Sequence, residues 1–499
     1  MIRLVTRTTV TNSPLPWTAL AVFDSTEPVR RRSYTVHGCP FTFVRSGGEP
    51  QTAESWTRTV VDPDLLPDER GTPPAILWRD AALFSAGGFA EFGAAFEAQA
   101  AAARAAGSGR ARAWARELVE KAGARTPEEK IRAVRDALFR RVRLAGPGLT
   151  DLPFDRAFTP PDVALADGYA SVLDWHNLYR TMLEEVGFSV EFALLDSDRG
   201  GLEVMRSLRR VVPQPDDFAD FVLRASIRTG CWPFAGRRTF WLDYENDYTP
   251  VGVRDAAGRT AYFPARDAFE ELEDPRELDS ERFTRVLLRE NGSADFIVSN
   301  RFWGVSVGGF RKQFTELLPE LRARFFQEML GLIADNATAT RELETDVEAY
   351  PFVMTFEAHV PGYATLQGDL LSAPVPGMGR TAYGPDEERR VCPICFRAGG
   401  RARQIYEYVF PEGFDEVERS PGSWEIELPG GVGPEDAFRV TTRTEDERLV
   451  VRLEHEESRA RDVLLTPDYA GLLRGWNLRI MSAAGRRVVV RRGAANSVR

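Results

Sequence analysis

Hydrophobic and polar positions along this chain alternate in two distinct periods, and the boundaries between them outline the fold. Near the start, Ile2–Thr11, Thr18–Phe23, Tyr34–Val36 and Phe41–Val44 alternate like strands among Pro, Gly and Ser. The period then lengthens. Phe89–Ala106 is alanine-rich and helical, a second helix covers 111–122, and Thr126-Pro-Glu-Glu129 carries the threonine cap, first-turn proline and third-position glutamate of a helix start. The helix opened there places Ile131, Val134, Leu138 and Val142 on one face. A Pro/Gly/Asp loop is expected over 146–167. Next comes a second amphipathic helix between Gly168 and Gly187, with Trp175, Leu178, Tyr179, Met182, Leu183 and Val186 as its apolar stripe.

Beyond Gly187 the pattern predicts strands at 188–195, 218–227 and 238–244, so that one helix lies against an antiparallel sheet. Further strands are predicted at 284–289, 294–299 and 352–360, with one long helix running from Phe310 to Met329. Residues 374–400 read as an irregular linker. The rest is all β, with strands at Gln404–Phe410, Trp424–Leu428, Phe438–Arg443, Leu449–Leu453 and Val488–Arg491. The domains this implies are a β-rich region at 1–105, an α+β core at 110–275, a β-rich region with one helix at 280–385, and an all-β region at 386–499. A sandwich that opens with a strand at residue 2 reads as truncated at its N-terminus.

Composition narrows the function classes. The 499 residues are 43% apolar and 28% charged, as in globular proteins, and are too many for one ordinary core. A net charge of −10 argues against nucleic acid, whose phosphates need a basic face. No apolar run approaches the ~20 residues of a membrane span, and no signal peptide is visible at Met1. Export is expected if the start is truncated, and a cytoplasmic location otherwise. Cys39, Cys231, Cys392 and Cys395 do not make a disulfide framework.

Residues 126–244 resemble the transglutaminase-like superfamily, papain-type folds with a Cys-His-Asp triad. The resemblance rests on Thr126-Pro-Glu-Glu-Lys-Ile-Arg-Ala-Val, on the helix ending Leu183-Glu-Glu-Val-Gly187-Phe, and on Phe240-Trp-Leu-Asp243. The flanks are similar to the β-rich neighbours of bacterial multidomain members. The resemblance implies a transglutaminase-like α+β core flanked by β-sandwich-type domains. It also implies a degenerate triad: the family's cysteine falls on Val172, its histidine on Asp220, and only the aspartate is kept, as Asp243. Acyl transfer by this route needs a thiolate activated by an imidazole, and valine cannot attack.

Other candidates carry two readings each. Ser171 is a substitute nucleophile or a helix cap, and His176 is its base or a packed core histidine. Asp174 flanks the same helix as a solvated or salt-bridged carboxylate. Asp243, Glu245 and Asp247 alternate toward one strand face and, with Asp220, form a weak candidate site for Ca²⁺ or Mg²⁺, or else a solvated edge. Cys392-Pro-Ile-Cys395 has zinc-knuckle spacing without a second pair. The expectation is therefore a catalytically inactive binding or scaffold protein for a peptide, glycan or protein partner, without a cofactor. The alternative is a hydrolase or acyl-transferase using Ser171 and His176.

Overall fold

The computed structural model of the chain describes residues 17–66, 75–146, 154–195, 211–212, 220–229, 236–243, 247–253, 259–272, 278–375, 391–396, 400–426, 435–459, 463–465 and 487–493. Two compact units divide it: Met1–Asp247 with Val251–Asp274, and Tyr248–Pro250 with Pro275–Arg499.

The first unit begins with β1 (Trp17–Val22), β2 (Arg31–Arg45), β3 (Gln51–Val61) and β4 (Ala81–Ala86), an antiparallel sheet in the order β1-β4-β2-β3. Strand β3 was not anticipated from the pattern, because its threonines, serine and charged residues leave few apolar positions. Phe23, Phe41, Phe43 and Phe84 are buried on one face, with Trp56 packed edge-on to Phe84 at 4.8 Å. The strand expected at Ile2–Thr11 lies outside the described residues.

A helical layer follows: α1 (Phe89–Ala106), α2 (Gly109–Lys121), α3 (Pro127–Arg141), α4 (Pro161–Asp167) and α5 (Val172–Glu185), with a short parallel pairing of β5 (Arg143–Leu144) and β6 (Tyr169–Ala170). The Thr126 cap works as its sequence predicts. Its hydroxyl accepts from the Glu129 N–H at 3.2 Å while the Glu129 carboxylate accepts from the Thr126 N–H at 2.9 Å. In α1, Gly93 permits close packing on Tyr262, since a Cβ there would collide with the Tyr262 hydroxyl and lie 2.9 Å from the Pro264 carbonyl oxygen.

Helix α5 is the centre of this unit. Leu173, Trp175, Leu178, Tyr179, Met182 and Leu183 are buried along it. Gly187, at φ 101°, turns the chain out of the helix, a conformation that favours glycine. The sheet beneath contains β7 (Ser189–Leu195), β8 (Asp220–Thr229), β9 (Gly236–Asp243), β10 (Thr260–Phe263) and β11 (Ala268–Glu271), ordered β11-β10-β7-β8-β9 and antiparallel throughout. Its faces differ. Phe192, Leu194, Phe221, Leu223 and Leu242 join the helical core, whereas Ala193, Leu195, Val222, Ala261 and Phe263 form a separate cluster on the far side.

The second unit comprises β12 (Ser280–Leu288), β13 (Ala294–Phe302), α6 (Ser306–Glu316), α7 (Pro319–Gly331), β14 (Thr338–Asp346), β15 (Phe352–Val360), β16 (Thr365–Gln367), β17 (Leu370–Pro374), β18 (Ile394–Phe396), β19 (Gly400–Val409), β20 (Phe414–Arg419), β21 (Trp424–Ile426), β22 (Glu435–Glu445), β23 (Arg448–Arg459), β24 (Val463–Leu465) and β25 (Arg487–Arg492). Eight strands form one sheet, ordered β14-β15-β13-β12-β19-β23-β22-β21, in which only the β12–β19 pairing is parallel. A four-stranded sheet, β16-β17-β25-β20, shares its core through Leu371, Val488 and Val490.

The pairing of β12 with β19 joins residues of 280–385 to residues of 386–499 in one sheet. One expectation needs correction. The single helix expected from Phe310 to Met329 is two helices. Pro319 has no N–H to continue a helix and forces Leu318 into an extended conformation, so α6 ends and α7 starts anew. Within the expected linker, β18 pairs with β24. Among the described residues, no helix is long and apolar enough to cross a membrane.

Candidate functional site

The turn before α5 is dictated by a few residues. Gly168, at φ 74°, ends α4 in the left-handed region. Ser171 then caps α5: its Oγ accepts from the Asp174 N–H at 3.1 Å. Asp174 faces back across the turn, and its Oδ1 accepts from the Thr159 N–H at 2.5 Å. Burial raises the pKa of this carboxyl above the ordinary range, opposed by the hydrogen bonds from Thr159 and Ser171.

These groups line a cavity of about 220 Å³ at the head of α5, with Arg156, Asp167 and Tyr169 also in its wall. Arg156, Asp167 and Tyr169 are exposed. Among the described residues Arg156 has no carboxylate partner. The lining thus offers a guanidinium, the hydroxyls of Thr159 and Ser171, two carboxyl groups and the phenol ring of Tyr169 within a few turns of chain. Arg156, Thr159 and Asp167 come from the stretch read as loop. Their only sequence signal is Pro160-Pro161, which starts α4.

Val172 is half-buried, and its side chain packs against the helical core. His176, one turn on, is fully buried, and its Nδ1 lies 2.7 Å from the Val172 carbonyl oxygen. Its Nε2 has no hydrogen-bond partner. Burial lowers its pKa to about 4. His176 is not in the wall of the cavity that Ser171 lines.

Asp220 is 57% exposed and forms a 2.7 Å ion pair with Arg259, itself 2% exposed. Its strand neighbours Phe221 and Leu223 belong to the helix-facing core and Val222 to the opposite cluster, so alternation puts Asp220 on the sheet face away from α5. The structure therefore does not bring Asp220 and Val172 into one cleft. Asp243 ends β9 opposite Val222 in the register. The side chain of Asp243 and all of Glu245 lie outside the described residues. Asp247 is half-buried, and its backbone carbonyl accepts from Arg135 at 2.8 Å.

Among the described residues, no group of three or more His, Cys, Asp or Glu side chains is placed to hold a metal ion. Cys392 is buried. Cys231 and the side chains of Cys39 and Cys395 lie outside the described residues.

No protein-family model and no curated protein matches the chain. Among solved structures, the chain is similar to the crystal structure of a "putative protease" from Parabacteroides distasonis, with a TM-score of 0.53 and 12% sequence identity. The match covers 97% of this chain and 76% of that one. At this identity the likeness concerns the fold alone.

Proposed function

We propose that this chain is a non-catalytic binding module with a degenerate transglutaminase-like core, and that its ligand enters the cavity at the head of α5. The observation that carries this reading is the polar cavity around Ser171, Asp174 and Arg156 beside an apolar Val172 turned into the core. A site of about 220 Å³ is smaller than the roughly 300–1,000 Å³ that encloses drug-sized ligands. It suits one amino-acid residue or one sugar ring of a peptide or glycan, with Tyr169 as an aromatic platform and the carboxyl groups as acceptors.

The likeness to the Parabacteroides protein, with the name it carries, favours a hydrolase as the second reading, with Ser171 as nucleophile and His176 as base. That reading asks a sealed imidazole outside the cavity to take a proton from a serine already serving as a cap. The test is direct. Titration calorimetry of the whole chain with a peptide and an oligosaccharide panel should give saturable binding to one class that Tyr169→Ala and Asp174→Asn each weaken at least tenfold. No labelling by a serine-directed fluorophosphonate is expected, and labelling at Ser171 would replace the binding reading with the hydrolase.

A further inference from the structure

The inner face of the eight-stranded sheet is apolar over most of its area, and its polar exception has a definite layout. Cross-strand register sets Arg282 between Asn300 and Gln404, and sets Thr284 between Val298 and Tyr406 in the next row. One row further in, the same face carries Phe296, Val286 and Tyr408 in the core.

Thr284 is 3% exposed and Asn300 is 2% exposed. The Arg282 Nε donates to Asn300 Oδ1 at 3.0 Å. Among the described residues, the Thr284 hydroxyl and the Asn300 amide N–H groups have no hydrogen-bond partner. Neither group is sealed in the core: both open into a crevice, where a ligand can replace water on them. Both side chains line a crevice of about 40 Å³ with Arg282 and Tyr406, and Met329, Leu332 and Ile333 from the end of α7 also line it. Where about 10–15 Å³ holds one water, this volume takes a small head group but not a whole ligand.

The charge balance points to an anion. Arg301, Arg403, Arg443 and Arg452 on neighbouring strands of this sheet each hold a carboxylate. Arg282 holds none among the described residues, and the crevice wall contains no acid. The guanidinium is held at Nε by Asn300 and also interacts with the Tyr406 hydroxyl, and its other N–H groups are left for a carboxylate in the crevice.

We propose that the second unit binds an amphiphilic carboxylate in this crevice. The carboxylate sits on Arg282, Thr284 and Asn300, and its apolar part lies over Met329, Leu332 and Ile333. A free short-chain acid and the C-terminus of a peptide ending in an apolar residue share this chemistry. The site is independent of the cavity at α5.

Calorimetry on the whole chain tests it with octanoate, octan-1-ol, and an acetylated peptide ending in leucine as the free acid or the amide. At least one carboxylate should saturate a single site, with its uncharged counterpart at least tenfold weaker. Arg282→Gln should lower that affinity about tenfold or more, as for loss of a charged hydrogen bond. Thr284→Val, a change of similar volume, should weaken binding several-fold and keeps the test valid if Arg282→Gln does not fold. Binding of octanoate alone identifies a free acid, and binding of the peptide acid alone identifies a C-terminus. The proposal is overturned if neither carboxylate binds, if the uncharged probes bind equally well, or if both variants bind like the parent chain.

Discussion

His176 donates through Nδ1 to the carbonyl of Val172, 2.7 Å away and one helical turn back. A carbonyl only accepts, so Nδ1 carries the proton and the lone pair is on Nε2, sealed in the core without a donor. His176 thus spends its hydrogen bond on the helix backbone.

A pH dependence follows. The folded-state pKa of His176 is lowered to about 4 from an ordinary 6.5, so the unfolded chain takes up the proton first as pH falls. Its contribution is fully present above about pH 6.5 and is lost progressively toward pH 4, by about 3 kcal/mol in all. Urea unfolding at pH 7 and pH 4.5 should show a drop about 2–3 kcal/mol smaller in His176→Leu than in the parent chain. Equal drops would mean that His176 is not held neutral.

Ser171→Ala should cost about 1 kcal/mol of stability, the usual value of an N-cap, whereas Ser171→Asp should keep the cap and most of the stability. Thermal denaturation of the two variants distinguishes a capping role, which aspartate fulfils, from a nucleophilic one, which it does not.

Asp220→Asn removes one partner of the Arg259 ion pair but acts on the sheet face opposite α5. A loss of about 1 kcal/mol or less is expected, because Asp220 is more than half exposed. Ligand affinity at the α5 cavity should be unchanged within error by calorimetry. A large loss would return Asp220 to the site.

Gly93→Ala places a methyl group against the Tyr262 hydroxyl and the Pro264 carbonyl, where the backbone has no room to give. The helix-propensity gain of about 1 kcal/mol is outweighed by overpacking of about 1–3 kcal/mol. Chemical denaturation should therefore show a net loss of stability from a substitution that stabilises an isolated helix.

Much of the first unit was legible because its signals are local. Thr126 and Glu129 specify a cap by chemistry within four residues, and the buried stripe of α5 follows the helical period from Leu173 to Leu183. Strands β10 and β11 were not, since Thr260–Phe263 and Ala268–Glu271 are four residues each and are defined by pairing with one another and with β7. Pro319 was legible in principle, and the apolar spacing across it hid the break. Residues of the candidate site divide the same way. The Ser171 cap could be read from its neighbours, but the arrival of Arg156 and Thr159 beside Asp174 depends on how α4 folds back. The face taken by Asp220 depends on the strand register, where one residue more or less exchanges the two sides.

Among the described residues, the cavity at the head of α5 is bounded by residues between Ala145 and Asp174. A Cys-His-Asp site is a meeting of remote segments, and any shift of the sheet against the helix dissolves it. A pocket made from about thirty consecutive residues is modular instead. Its shape travels with one short piece of chain, so the surrounding sheet is free to diverge in sequence without redrawing what the pocket admits.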